Sequence, residues 1–270
     1  MASSHVLLHE RLVKLDRCPA DLAQLRIAHV SDLHFHRWSR AAGEAQDLLC
    51  NADVDFLAMT GDFGDFRRRW SRAADLSRRF FEPLAKRLPI YAVLGNHDDP
   101  RMADALGDII TFLNNRSVTA TFHRTTIELA GLDQNVPGAE NLQAALGHKR
   151  LAPCSILLAH YPSTLRRLPP GRVDLVLSGH THGGQIRLPW LGCLWPNDRI
   201  PRAWARGLHH TDRGALHVSA GIGASLPVRI RLNCPPELSI LTLEAATPGS
   251  GPRGQTSPRR SLELAVIAGG

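Results

Sequence analysis

LRIAHVSDLHFH, residues 25–36, is a short apolar run that breaks into a loop of Ser, Asp and His. The same design returns twice. VDFLAMTGDFGD (54–65) ends in Gly61-Asp62, and PIYAVLGNHDD (89–99) ends in Gly95-Asn96-His97-Asp98. Each run is brief, continuous and built from Val, Ile, Leu, Ala and Met, the signature of a strand buried on both faces. Helix-like segments lie between them, at Trp38 to Asn51 and at Phe66 to Arg87. A β-α-β-α-β alternation predicts a largely parallel sheet. Open α/β sheets carry their sites on the loops at the strand ends, where these polar clusters fall.

The second half repeats the device with fewer helices. CSILLAHYP (154–162) and VDLVLSGHTHGG (173–184) each end an apolar run in histidine. Further strands are predicted at Gly214 to Ser219 and at Leu238 to Leu243, so a more β-rich half packs on the first. From about residue 247 the composition changes to TPGSGPRGQTSPRR, which predicts a flexible tail over 247–270 behind a domain spanning 1–246.

Composition bounds the rest. The chain has 270 residues, 43% apolar, enough for a substantial core and against full disorder. Its apolar runs are far shorter than a membrane span. The first ten residues, MASSHVLLHE, show no basic start followed by an apolar stretch. Five cysteines are an odd number without a Cys-x-x-Cys pair, which argues against a disulfide scaffold and for buried thiols in a reducing compartment. A cytoplasmic location, with peripheral contact at a membrane, is the expectation. A net charge of +7 fits anionic partners but selects none of them.

The polar residues at the strand ends form a set: Asp32, His34, Asp62, Asn96, His160, His180 and His182. Carboxylates, imidazoles and one amide oxygen, with no thiolate, suit divalent Mn, Fe, Zn or Ni. Seven ligands exceed the needs of one ion and suit two that share a bridging carboxylate, about 3.5–4 Å apart as in phosphoester hydrolysis. Taken singly, each motif has a bland reading as a turn or a hydrogen-bonded histidine. Five of them at successive strand ends do not.

The ordered motifs SDLH, GDFGD, GNHD, AH and GHTHGGQ resemble the calcineurin-like metallophosphoesterase superfamily, over about Leu25 to Leu243. The resemblance implies an α+β, four-layer α/β/β/α fold: a β-sandwich flanked by helices, with two divalent metal ions at the strand ends. It implies one ion on Asp32, His34, Asp62 and His182. A second would sit on Asp62, Asn96, His160 and His180, with Asp62 bridging. His97 matches the residue that protonates the leaving group or binds the phosphoryl oxygen, and Asp65 matches the carboxylate that orients that histidine. The implied chemistry is direct in-line attack by hydroxide formed on the paired ions, without a phosphoenzyme. GHTHGGQIRLPWLG and GIGASLPVRIRLNCPPELSILTL narrow the resemblance to the YkuE-like bacterial phosphoesterase subgroup, with some lipid-linked UDP-sugar pyrophosphatases.

The leading expectation is therefore a phosphodiesterase or pyrophosphatase acting on a lipid- or nucleotide-type substrate. A phosphomonoesterase or protein phosphatase, a nuclease, and a non-catalytic binding module on the same fold are the alternatives. The basic residues cluster in one segment rather than tracking a groove, which argues against nucleic acid. That segment, Phe66 to Arg87, interleaves eight Arg and Lys with Phe66, Trp70, Phe80 and Phe81. It reads either as a basic amphipathic helix on an anionic membrane or as a solvated helix whose aromatics pack on the sheet. His36, Arg37 and Arg187 are placed to meet a phosphate or to be ordinary loop residues. Trp190, Trp195 and Trp204 form an aromatic loop that lines a substrate wall or covers the sandwich.

Overall fold

The computed structural model describes residues 5–224 and 229–245; the domain limit at 246 and the 247–270 tail fall outside them. Fourteen strands form two six-stranded sheets and one small hairpin. The first sheet takes β1 (Leu7–Leu15), β2 (Arg26–Val30), β3 (Phe56–Met59), β4 (Ile90–Ala92), β5 (Thr111–Phe112) and the last strand, β14 (Glu237–Ala245). Its order is β1-β14-β2-β3-β4-β5, parallel from β2 to β5, with β14 antiparallel to β2 and parallel to β1. The second sheet takes β6 (Arg116–Phe122), β7 (Thr125–Gly131), β8 (Cys154–Leu158), β9 (Leu175–Ser178), β12 (Gly207–Thr211) and β13 (Gly214–Val218), in the order β12-β13-β9-β8-β7-β6. Strands β7, β8, β9 and β13 are parallel, and β6 and β12 are antiparallel edges. The hairpin pairs β10 (Arg187–Leu188) with β11 (Gly192–Cys193).

The side-chain period of two explains the layers. In β2, Ile27 points between the sheets while Ala28 points to the helices; in β9, Leu175 and Leu177 face inward and Val176 outward. Both faces are covered, so the strands read as unbroken apolar runs. Helices α1 (Arg40–Asn51), α2 (Trp70–Ala85) and α3 (Arg101–Leu106) cover the first sheet, and α4 (Leu142–Leu146) covers the second. The result is the α/β/β/α sandwich that the motifs imply. The five cysteines are free thiols, four of them buried.

Helix α1 starts on Ser39, whose side chain accepts the Ala42 N–H at 3.0 Å. Helix α2 runs through Pro83 near its end. Proline offers no N–H to the carbonyl of Arg79, and Gln46 of α1 donates to that carbonyl at 2.7 Å instead. Helix α2 packs Phe80, Phe81 and Leu84, all fully buried, against the sheet. On its outer side Arg78 pairs with Asp108 and Arg79 lies over the Trp38 ring, and an exposed turn at Arg67–Arg69 precedes it.

Candidate metal centre

Five parallel strands end at one rim of the sandwich. β2 delivers Asp32 and His34, β3 delivers Asp62, β4 delivers Asn96 and His97, β8 delivers His160, and β9 delivers His180 and His182. The chain leaves the strands by sharp turns. Asp32, His34, Asp62, His180 and His182 all adopt positive φ, between 46° and 67°, which L-residues avoid. Five strained residues in one place are held by close backbone approach. A Cβ on Gly95 would collide with the Asp62 side chain, and one on Gly179 would collide with Ser31 and Asp32.

Two donor groups result, and they share Asp62. Asp32, His34, Asp62 and His182 each place a ligand atom within 4.8 Å of the others, and so do Asp62, His160 and His180. The His34 and His182 Nε2 atoms are 3.0 Å apart, and His34 Nε2 lies 3.4 Å from Asp62 Oδ2. On the other side of Asp62, His160 Nε2 is 3.3 Å from the same Oδ2, 3.0 Å from Asn96 Oδ1 and 3.3 Å from His180 Nδ1. All seven positions named from the sequence meet here.

The second nitrogen of each ring says which atoms are free. His160 Nδ1 must donate to the Thr60 carbonyl at 2.7 Å, and His180 Nε2 to the Asn197 carbonyl at 2.8 Å, because a carbonyl only accepts. His34 Nδ1 lies 3.0 Å from Asp65 Oδ1. The opposite nitrogens are left as lone pairs aimed at carboxylate oxygens and at one another. Imidazoles held from behind by a carbonyl or carboxylate are the arrangement that metal-binding histidines adopt. Convergent lone pairs buried from water need cations, so the donor set fits divalent ions. Burial works against charge on His160, but Asp62 outweighs it and lifts the ring to about 9. Burial and the His160 charge push His180 down to about 4.

Several supporting residues escape a reading by residue type. Asp98 is buried and accepts the main-chain N–H groups of Asp62 (2.8 Å), Gly64 (3.1 Å) and Gly95 (2.9 Å), tying the β3 and β4 loops together. Burial and then the Asp62 charge raise its carboxyl to about 7. Arg231 is buried behind His182, donating to the carbonyls of Ala220 and Gly221, with Nη2 3.4 Å from His182 Nδ1. Arg187 braces the turn through the Gly183 carbonyl at 2.8 Å.

One expectation needs correction. Asp65 does not orient His97 through its carboxylate. The carboxylate is surrounded by His34, His36 (3.2 Å) and the Arg229 guanidinium (2.5 Å), which hold it away. His97 Nδ1 donates instead to the Asp65 main-chain carbonyl at 3.1 Å, leaving Nε2 as the free nitrogen of a half-buried ring. His97 is fixed further by its own N–H on Asp62 Oδ1 at 2.9 Å.

The family model for calcineurin-like phosphoesterases matches residues 25–184. The phosphodiesterase YaeI of Escherichia coli is 28% identical over 232 residues, 82% of this chain and 83% of that protein. The metallophosphoesterase YkuE of Bacillus subtilis is 27% identical over 249 residues, 87% and 85% of the two chains. The UDP-2,3-diacylglucosamine pyrophosphatase LpxG of Chlamydia muridarum is 26% identical over 302 aligned positions, 86% and 88%.

Proposed function

Because this chain belongs to the calcineurin-like phosphoesterase family and is a metallophosphoesterase, we propose that it is a dinuclear phosphodiesterase or pyrophosphatase for a lipid- or nucleotide-type substrate. The observation that carries this reading is the pair of donor groups meeting on Asp62, with the histidine nitrogens opposite the site engaged by Asp65, Thr60 and Asn197. Asp32, His34, Asp62 and His182 would hold one divalent ion, and Asp62, Asn96, His160 and His180 the other. Bound there, divalent ions would supply a more acidic water and offset charge on phosphoryl oxygens. The chain supplies the rest. Asp98 keeps the loops of Asp62 and Asn96 in register. His97, its Nδ1 proton tied to Asp65, presents Nε2 to protonate the leaving oxygen. The diester or pyrophosphate preference is supported by the activities named for the relatives YaeI and LpxG.

The test compares a nitrophenyl phosphodiester with a nitrophenyl phosphomonoester on purified protein loaded with Mn, Zn, Ni or Mg. Faster, metal-dependent diester cleavage is expected. His97→Ala should retain two ions by elemental analysis and lose about 100-fold or more in turnover of a diester with a poor, alkyl leaving group, whereas Asp62→Ala should lose both metal and activity. Preference for the monoester, or full turnover by His97→Ala on a poor leaving group, would overturn the assignment.

A further inference from the structure

The hairpin that follows the metal-bearing turn has an apolar tip that no other described residue covers. Trp190 is fully exposed and Trp195 is 74% exposed, and Leu188 and Leu191 are exposed beside them. Ile230 and Leu232, also exposed, run alongside: Arg187 N–H donates to the Leu232 carbonyl at 2.9 Å, and Leu232 N–H to the Gln185 carbonyl at 3.0 Å. Scattered exposed leucines are ordinary, but two tryptophans within a contiguous apolar patch mark a contact surface. The tip is also held out on purpose. Trp190 sits at φ 68°, a left-handed conformation that L-residues avoid, with its ring exposed among the described residues.

Charge says what the patch meets. Residues 185–206 carry Arg187, Arg199, Arg202 and Arg206 against a single acid, Asp198, which is turned to the Ser163 and Arg199 N–H groups. Arg229 precedes Ile230 and stands 6.0 Å over exposed Phe66, next to the exposed Arg67–Arg69 turn. An aromatic tip flanked along the chain by arginines matches a bilayer interface, where Trp settles at headgroup depth and Arg meets anionic headgroups. We propose that the Leu188–Trp195 hairpin and the adjoining Ile230–Leu232 segment dock this protein on an anionic phospholipid surface. The hairpin base follows directly from His182 and is tied to Gly183 through Arg187, so docking brings the metal centre to the membrane. The proposal rests on this surface and not on substrate preference, and it stands or falls independently of the diester assignment.

The test uses the full chain with vesicles of phosphatidylcholine, alone or with roughly one-third phosphatidylglycerol, read by co-sedimentation and by quenching of tryptophan emission with brominated acyl chains. Wild type should bind the anionic vesicles in a salt-sensitive way, with quenching. Trp190→Ser/Trp195→Ser should bind about tenfold more weakly or less, with metal content and circular dichroism unchanged. Three results would overturn the proposal: no binding by wild type, equal binding by the double variant, or binding without quenching. A tryptophan-dependent dimer in sedimentation velocity, without vesicle binding, would overturn it too, by making a second copy the occupant.

Discussion

Acid should weaken this fold through two histidines that bind nothing. His29 on β2 and His217 on β13 meet between the sheets, Nδ1 to Nδ1 at 2.8 Å, and His29 Nε2 lies 2.9 Å from Thr60 Oγ1. Both rings are fully buried. Two facing nitrogens accommodate one proton, so a second would set two N–H groups against each other. Burial pushes His29 down to about 3, and burial followed by the His29 charge pushes His217 well below its ordinary range. An unfolded histidine titrates near 6.5. The sign follows: between about 6.5 and 3 the unfolded chain takes up protons the native pair refuses, so stability present at neutral pH is lost as pH falls. From pH 7 to pH 5 the loss is about 2 kcal/mol per ring, or about 4 kcal/mol for the pair. Guanidinium unfolding of the metal-free protein at both pH values, against His29→Leu/His217→Leu, isolates the effect. The stranded Thr60 hydroxyl costs the variant the same at either pH and cancels. Wild type should lose about 4 kcal/mol more than the variant. Equal losses would show that both rings take up protons in the native state as they do in the unfolded chain, and would refute the reasoning.

Asp98→Ala strands three buried N–H groups, each costing about 1–3 kcal/mol; lowered metal occupancy by elemental analysis and a lower Tm are expected, and unchanged occupancy would deny Asp98 its positioning role. Arg172 grips the fully buried Glu128 with two 2.8 Å contacts, so Arg172→Met should cost about 3–5 kcal/mol by leaving that carboxylate unpaired, and Arg172→Met/Glu128→Leu should recover most of it in denaturant titrations. Phe81→Ala, in the core that α2 forms on the first sheet, should cost about 3–5 kcal/mol; a loss under 1 kcal/mol would mean that helix is loosely packed.

The elements legible in the sequence are those whose pattern is local. β2, β3, β4, β8 and β9 are buried on both faces, so each stands out as an apolar run. Helix α1 begins two residues inside its expected segment because Ser39 caps it, and the segment 66–87 divides into a 3-10 turn and α2. β1 was not legible. LLHERLVKL mixes charge with leucine, as a half-exposed edge strand does, and its partner β14 lies more than two hundred residues away along the chain. The β6–β7 hairpin is hidden for the same reason on its β6 side, where exposed and half-buried residues alternate.

The site divides in the same physical way. Candidate donor atoms belong to side chains of a distinctive type, so Asp32, His34, Asp62, Asn96, His160, His180 and His182 stand out in the motifs. The groups that orient them are largely main-chain carbonyls, at Thr60, Asn197 and Asp65, and every residue has a carbonyl. The same holds for Asp65: the motif reveals a carboxylate but not the His36 and Arg229 side chains it meets, nor the main-chain carbonyl that meets His97. The histidines show what structure adds. His29 and His160 both follow apolar runs, both are fully buried, and residue type does not separate them. Their second nitrogens do. His160 spends Nδ1 on a carbonyl and keeps Nε2 as a lone pair facing Asp62, while His29 spends both nitrogens, on His217 and Thr60. A buried imidazole with one nitrogen committed and the other facing carboxylate is left needing a cation; one with both committed is a strut between sheets.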